Sequence, residues 1–226
     1  MTWYEQLPAG TSWSSLWHHI ALCSCGAIRT DPVCSVCGVQ PVYECIEVVD
    51  KNGVKHLVPA TIETGAEGRF EDWLYLDLIQ REWMRPTSLQ PDGLLRHHHI
   101  SERAGVVLLF WTYFEGRIER LVRLGMKGMT EALREDLLAR YFSIGSRMDK
   151  LYKLLFATTY HSDLRAVGAE PIAELIREVQ VKRNKFSHGH PSAISDELVA
   201  RLVASLKDEH YAWITVFNRR IAKQRN

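Results

Sequence analysis

A chain of 226 residues with 28 Lys plus Arg against 27 Asp plus Glu carries a net charge near +1, which excludes a broad basic face and leaves room only for local nucleic-acid contacts. At 46% hydrophobic and 24% charged, it has the composition of a folded protein: one large domain, or a compact domain with a small module. The longest apolar stretch, Val106 to Phe114, is interrupted by Thr112 and falls far short of the roughly 20 residues that span a bilayer. Met1 to Leu22 lack the basic start and apolar run of a secretory signal, so a cytoplasmic location without membrane contact is expected.

Residues 1 to 40 are rich in Trp, Gly, Ser and Cys and show no sustained helical period. Within them stand two short hooks, Cys23-Ser-Cys25-Gly26 and Cys34-Ser-Val-Cys37-Gly38. Two hooks brought together by a turn present four thiolates in the tetrahedron that zinc prefers. Glycine after each hook suits a sharp backbone turn toward the sulfur, and Pro32 shapes the return. The expected cofactor is one structural zinc on Cys23, Cys25, Cys34 and Cys37, because four thiolates leave no position for water or substrate. The alternative is four free or redox-active thiols. Cys45 falls in a β-prone run and reads as a buried, inert thiol, and His18 and His19 are not needed as ligands. Trp3, Trp13 and Trp17 are read as packing around the module, with base stacking as the alternative.

Val42 to Val49 and Val54 to Val58, joined by Asp50-Lys51-Asn52-Gly53, predict a β-hairpin. A helix is expected over Phe70 to Trp83, ended by Pro86, and then a linker over Thr87 to Leu95. From about Ser101 four amphipathic stripes follow. The first runs through Val107, Phe110, Trp111, Phe114 and Ile118, and the second from Leu133 to Leu155 with a kink or break possible at Gly145. The third opens at Pro171 and runs through Ile172, Ile176 and Val179, and the fourth is capped by Ser195 and runs from Val199 to Ile221. The expected fold is mainly α: an antiparallel up-and-down helical bundle with a small N-terminal zinc module and β-hairpin. The expected division is 1–62, the zinc-ribbon-like module with the hairpin; 63–95, helix and linker; and 96–226, the bundle.

The third helix ends in Lys182-Arg183-Asn184-Lys185-Phe186-Ser187-His188-Gly189. Arg183 continues the stripe of Ile176 and Val179, where a guanidinium is costly unless it is paired or lines a cleft. Asn184 and His188 are i and i+4 and share a face if the helix persists. An imidazole can move the proton of a ribose 2′-hydroxyl, and a guanidinium can neutralise charge growing on phosphate. The alternative is helix-end capping and surface contacts. Glu115 and Glu119 are possible partners for Arg183, His97 to His99 read as a surface loop, and His210 reads as a core histidine.

Arg183-Asn184-x-x-x-His188 at the end of the third of four helices resembles the R-x4-6-H signature of HEPN-domain ribonucleases, helical-bundle proteins of prokaryotic toxin–antitoxin and antiviral systems among others. The resemblance implies a homodimer with both motif copies in one cleft, metal-independent RNA cleavage through the 2′-hydroxyl, and catalytic roles for Arg183, Asn184 and His188. It also allows an antitoxin or regulatory protein as partner. His190 stands where one toxin subgroup has a tyrosine that receives a nucleotide, so that control is not implied. The competing reading is a non-catalytic RNA- or nucleotide-binding protein that uses the zinc module and the basic helix end. A third treats the bundle as a dimerisation scaffold.

Overall fold

The computed structural model describes residues 1–14, 21–23, 25–31, 33–38, 43–49, 52–61, 72–87 and 100–222. Within them the protein is mainly helical, with the cysteines near the N-terminus. Two short antiparallel strands, β1 (Ala21–Leu22) and β2 (Ile28–Arg29), flank the first cysteine hook. The expected hairpin is present as β3 (Tyr43–Val49) and β4 (Lys55–Thr61), paired from Tyr43↔Thr61 to Val49↔Lys55. Gly53 has φ 77°, the left-handed conformation that its turn requires. β4 extends past Val58 through Pro59, which faces Cys45 and is tolerated because a two-stranded ribbon has only edges. The burial expected for the Cys45 thiol lies outside the described part, as do Trp17, His18, His19, His97 to His99 and most of the expected linker.

The helices begin with α1 (Asp72–Met84), which stops two residues before Pro86. Its Leu76 and Ile79 are fully buried against α2 (Ala104–Gly125). The first predicted stripe is the buried face of α2: Val107, Phe110, Trp111, Phe114 and Ile118 are each 1% exposed or less. The third and fourth stripes are the buried faces of two later helices, Glu170–Ser187 and Asp196–Ile221. Ser195 caps the latter by accepting the Leu198 N–H at 3.3 Å.

The second stripe does not form one helix. The chain makes α3 (Glu131–Arg140), breaks at Tyr141 to Ser143, and restarts at α4 (Ile144–Ser146). α4 runs on through a π-helical turn (Arg147–Leu151) into α5 (Tyr152–Phe156). The break precedes Gly145, and it is fixed by Ser143, whose hydroxyl accepts the Ser146 N–H at 3.2 Å. Leu133 is consequently 46% exposed. Next come α6 (Tyr160–Ala166), α7 (Glu170–Ser187) and α8 (Asp196–Ile221).

This break changes the topology from the alternating up-and-down order expected. α3 folds back along α2, since Arg123 near the end of α2 pairs with Glu135 at 2.9 Å. Arg147 then reaches both the Tyr141 carbonyl and Glu119, at 3.1 Å each. The restarted helix runs forward again, with Phe156 and Leu155 against Gly125. With that extra reversal, α2 and α8 end up parallel. Ser101 donates to Asp196 at 2.6 Å where both begin, and Arg117 meets Glu209 at 2.7 Å halfway along. α7 runs against them. One apolar core gathers Trp13, Ile28, Leu76 and Ile79 with the helices, so the N-terminal segment, β2 and α1 share it.

Candidate functional site

The two cysteine hooks meet. Cys23 Sγ lies 3.5 Å from Cys37 Sγ and Cys25 Sγ 3.8 Å from Cys34 Sγ, with all four sulfurs within 4.8 Å of one another. A tetrahedral zinc with bonds of about 2.3 Å sets its sulfurs about 3.8 Å apart, so the donor set fits a metal such as zinc. The backbone builds each hook. Gly26 N–H donates to the Cys23 carbonyl at 2.8 Å and Gly38 N–H to the Cys34 carbonyl at 2.9 Å, with positive φ at both glycines. Crowding splits the thiols. Burial opposes ionisation of Cys23, but the Cys25 backbone N–H and the neighbouring thiols outweigh it and bring Cys23 to about 7. Burial and those same neighbours push Cys25 up to about 12. A divalent cation among the sulfurs removes that conflict.

The cysteine cluster rests on the end of α8. Ala222, 1% exposed, packs with Cys23, Ala27 and Cys34. One turn earlier, the Asn218 side chain accepts the Ile28 N–H at 2.6 Å and donates to the Ile28 carbonyl at 2.8 Å. Trp3 donates to the Val203 carbonyl at 2.9 Å, and Trp13 is buried against Trp3 and Tyr4. Both tryptophans therefore pack, but onto the helical core and not around the cysteines.

Arg183, Asn184 and His188 lie together at the end of α7. Arg183 is half-buried and its Nη1 donates to Asn184 Oδ1 at 3.3 Å. Its Nε is shielded from solvent and has no hydrogen-bond partner among the described residues. The helix persists through Ser187, so Asn184 and His188 share a face as expected, both exposed. His188 N–H donates to the Asn184 carbonyl at 3.1 Å. Gly189, at φ 88°, then reverses the chain, its N–H meeting the Phe186 carbonyl and the His190 N–H the Lys185 carbonyl. The glutamates suggested as partners are engaged elsewhere: Glu115 with Trp111 Nε1 at 2.7 Å, and Glu119 with Arg123 and Arg147.

A polar cluster in the core has no counterpart in the sequence reading beyond His210. Arg117, fully buried, donates to Glu209 at 2.7 Å, stacks on Trp213 at 4.0 Å and contacts the Tyr113 hydroxyl. His210 Nδ1 lies 3.3 Å from Arg117 Nη2 and 3.4 Å from the Tyr113 hydroxyl, which satisfies the expectation of a core histidine. Asp72 bridges Arg117 at 3.6 Å and Arg120 at 2.8 Å, tying α1 to α2. A second cluster joins Asp163 to Tyr152 and Arg220. A cleft of about 430 Å³ between the N-terminal segment and α1, lined by Tyr4, Pro8, Asp77 and Gln80 among others, includes none of the helix-end motif. Among the described residues no helix is long and apolar enough to cross a membrane. No family model matches the chain, and no curated protein or solved structure matches it.

Proposed function

We propose that the protein is an endoribonuclease that cleaves RNA through the ribose 2′-hydroxyl without a catalytic metal, and that Cys23, Cys25, Cys34 and Cys37 hold a structural zinc. The observation that carries the reading is the helix end itself. A half-buried guanidinium with a spare donor sits beside an amide, and an exposed imidazole follows one turn on. In the proposed step His188 takes the 2′-hydroxyl proton and the freed oxygen attacks phosphorus. The bond to the 5′-oxygen breaks, that oxygen takes a proton from solvent or a second imidazole, and a 2′,3′-cyclic phosphate remains. Arg183 offsets the charge that grows on the phosphate, and Asn184 orients the guanidinium. A homodimer that brings two such helix ends together is part of the proposal. Incubating RNA with purified protein in a chelator, beside His188→Ala, tests it.

One observation favours a second reading, non-catalytic RNA or nucleotide binding. Among the described residues the His188 ring has no hydrogen-bond partner to orient it, while Lys182 and Lys185 flank Arg183. Binding by charge alone weakens steeply with salt and tolerates loss of His188.

A further inference from the structure

The face of α7 that carries Asn184 and His188 also carries Arg177 and Gln180, at spacings of three and four residues. Gln180 looks toward the helix that restarts at Ile144. Arg177 and Asp149, the latter in the π-helical turn, both act on the charge of the buried His161. Gly145 comes so close to α7 that a Cβ there would meet Gln180 Nε2 at 2.8 Å. The restarted helix runs with α2, and α7 runs against both. Moving from Gly145 back to Phe142 is therefore moving along α7 from Gln180 toward Asn184 and His188.

Phe142 occupies the break between α3 and α4. It is 79% exposed, more than any other large hydrophobic among the described residues except Met1. Its backbone is held from both sides: the Tyr141 N–H closes α3 on the Leu137 carbonyl at 2.9 Å, and the Ser143 hydroxyl caps the next helix. An aromatic ring displayed from a corner pinned in this way is presented to a ligand at little ordering cost.

We infer that the corner at Phe142 forms the second wall of a groove whose first wall is Asn184 and His188, and that the Phe142 ring stacks on a base of single-stranded RNA. The inference rests on the ribonuclease reading for its choice of RNA, and it deepens that reading by naming the substrate class. Two considerations favour a single strand. Attack by a 2′-hydroxyl in line with the leaving oxygen needs a nucleotide free to leave its stack, and aromatic platforms take unpaired bases in preference to duplex. Arg183, whose Nη1 is held on Asn184 at 3.3 Å, and Lys185, which follows Asn184, supply charge complementary to the backbone.

The test uses full-length His188→Ala protein in chelator, so that RNA is bound and not cut, with a short fluorescein-labelled single-stranded RNA followed by anisotropy. Phe142→Ala and Phe142→Leu are expected to weaken binding by roughly 5- to 150-fold, the span of one base–aromatic stack, and Phe142→Tyr to bind like the parent. A duplex of the same sequence is expected to bind more weakly and to be indifferent to residue 142. Parent-like binding by Phe142→Ala, or no measurable binding by the parent, overturns the inference. So does retention by Phe142→Leu with a drop in light-scattering mass for Phe142→Ala, which places the ring against a second copy. The two readings fail separately. Wild type that cuts no RNA but loses binding with Phe142 removes the ribonuclease and keeps the groove. Wild type that cuts while Phe142→Ala binds and cuts equally removes only the stacking platform.

Discussion

Asn218 near the end of α8 clamps both backbone polar groups of Ile28, accepting its N–H at 2.6 Å and donating to its carbonyl at 2.8 Å. Ile28 falls between the two hooks in sequence, and one turn beyond Asn218, Ala222 packs against Cys23, Ala27 and Cys34, so the cysteine cluster and the last turn of α8 share one packed surface. Metal removal should therefore be felt beyond the N-terminal module. We predict that chelation lowers hydrogen-exchange protection at Ile28 and over the last two turns of α8, because metal binding and local folding are coupled. Asn218→Ala leaves two buried backbone groups of Ile28 unpaired and should cost about 1–3 kcal/mol. Unchanged exchange in α8 after chelation contradicts the coupling.

The cysteine cluster predicts one zinc per chain by elemental analysis of purified protein. Cys34→Ser with Cys37→Ser should abolish it, since two thiolates do not complete the tetrahedron. Protein that holds no metal, or a double variant that keeps it, contradicts the assignment.

The Arg117–Glu209 pair is buried, with side chains 0% and 2% exposed. Glu209→Ala should destabilise the fold by about 3–5 kcal/mol by leaving the buried guanidinium with only the longer Asp72 contact. Arg117→Met combined with Glu209→Leu should recover much of that loss, because it removes both charges at similar volume. Urea unfolding checks both, and equal loss in the single and double variants contradicts the pairing.

His161 supplies a pH dependence. Burial, and then Arg177, holds its pKa below the ordinary histidine value, with Asp149 opposing and Arg165 adding to the effect. The unfolded chain therefore takes up the proton first as pH falls through about 6.5. The contribution is present above that value and is lost as pH drops toward the folded pKa, at up to about 1.4 kcal/mol per pH unit. Urea unfolding at several pH values should show a shallower acid loss for His161→Gln than for the wild type. Parallel curves contradict it.

Much of this was readable from residue spacing, and the rest follows from rules that apply equally elsewhere in the chain. The hooks were legible because spacing and trailing glycines dictate a local geometry that needs no tertiary context. The stripe of α2 was legible because burial enforces its period. Capping is legible at Ser195, and Thr130, Ser143 and Thr159 accept N-cap bonds of the same kind, of which the one at Ser143 divides the second stripe. Like Arg183, Arg117 stands on an apolar stripe, between Phe114 and Leu121, and Glu209 on another, between Leu206 and Trp213. Opposite charges on two buried stripes point to a buried pair. Only the parallel course of α2 and α8 fixes which residues meet, and that depends on the extra reversal at Tyr141 to Ser143.

The ribonuclease reading is tested most directly by total RNA incubated with purified protein in excess chelator, with DNA and the His188→Ala and Arg183→Ala variants alongside. The account predicts RNA cleaved to ends bearing 2′,3′-cyclic phosphate and DNA intact, since DNA lacks the attacking hydroxyl. His188→Ala should fall on the order of 100- to 10,000-fold with Arg183→Ala comparable. Both variants should still fold, because the side chains sit at a helix end. Cleavage by His188→Ala at the wild-type rate, or wild-type activity that appears only with added Mg²⁺, contradicts the account.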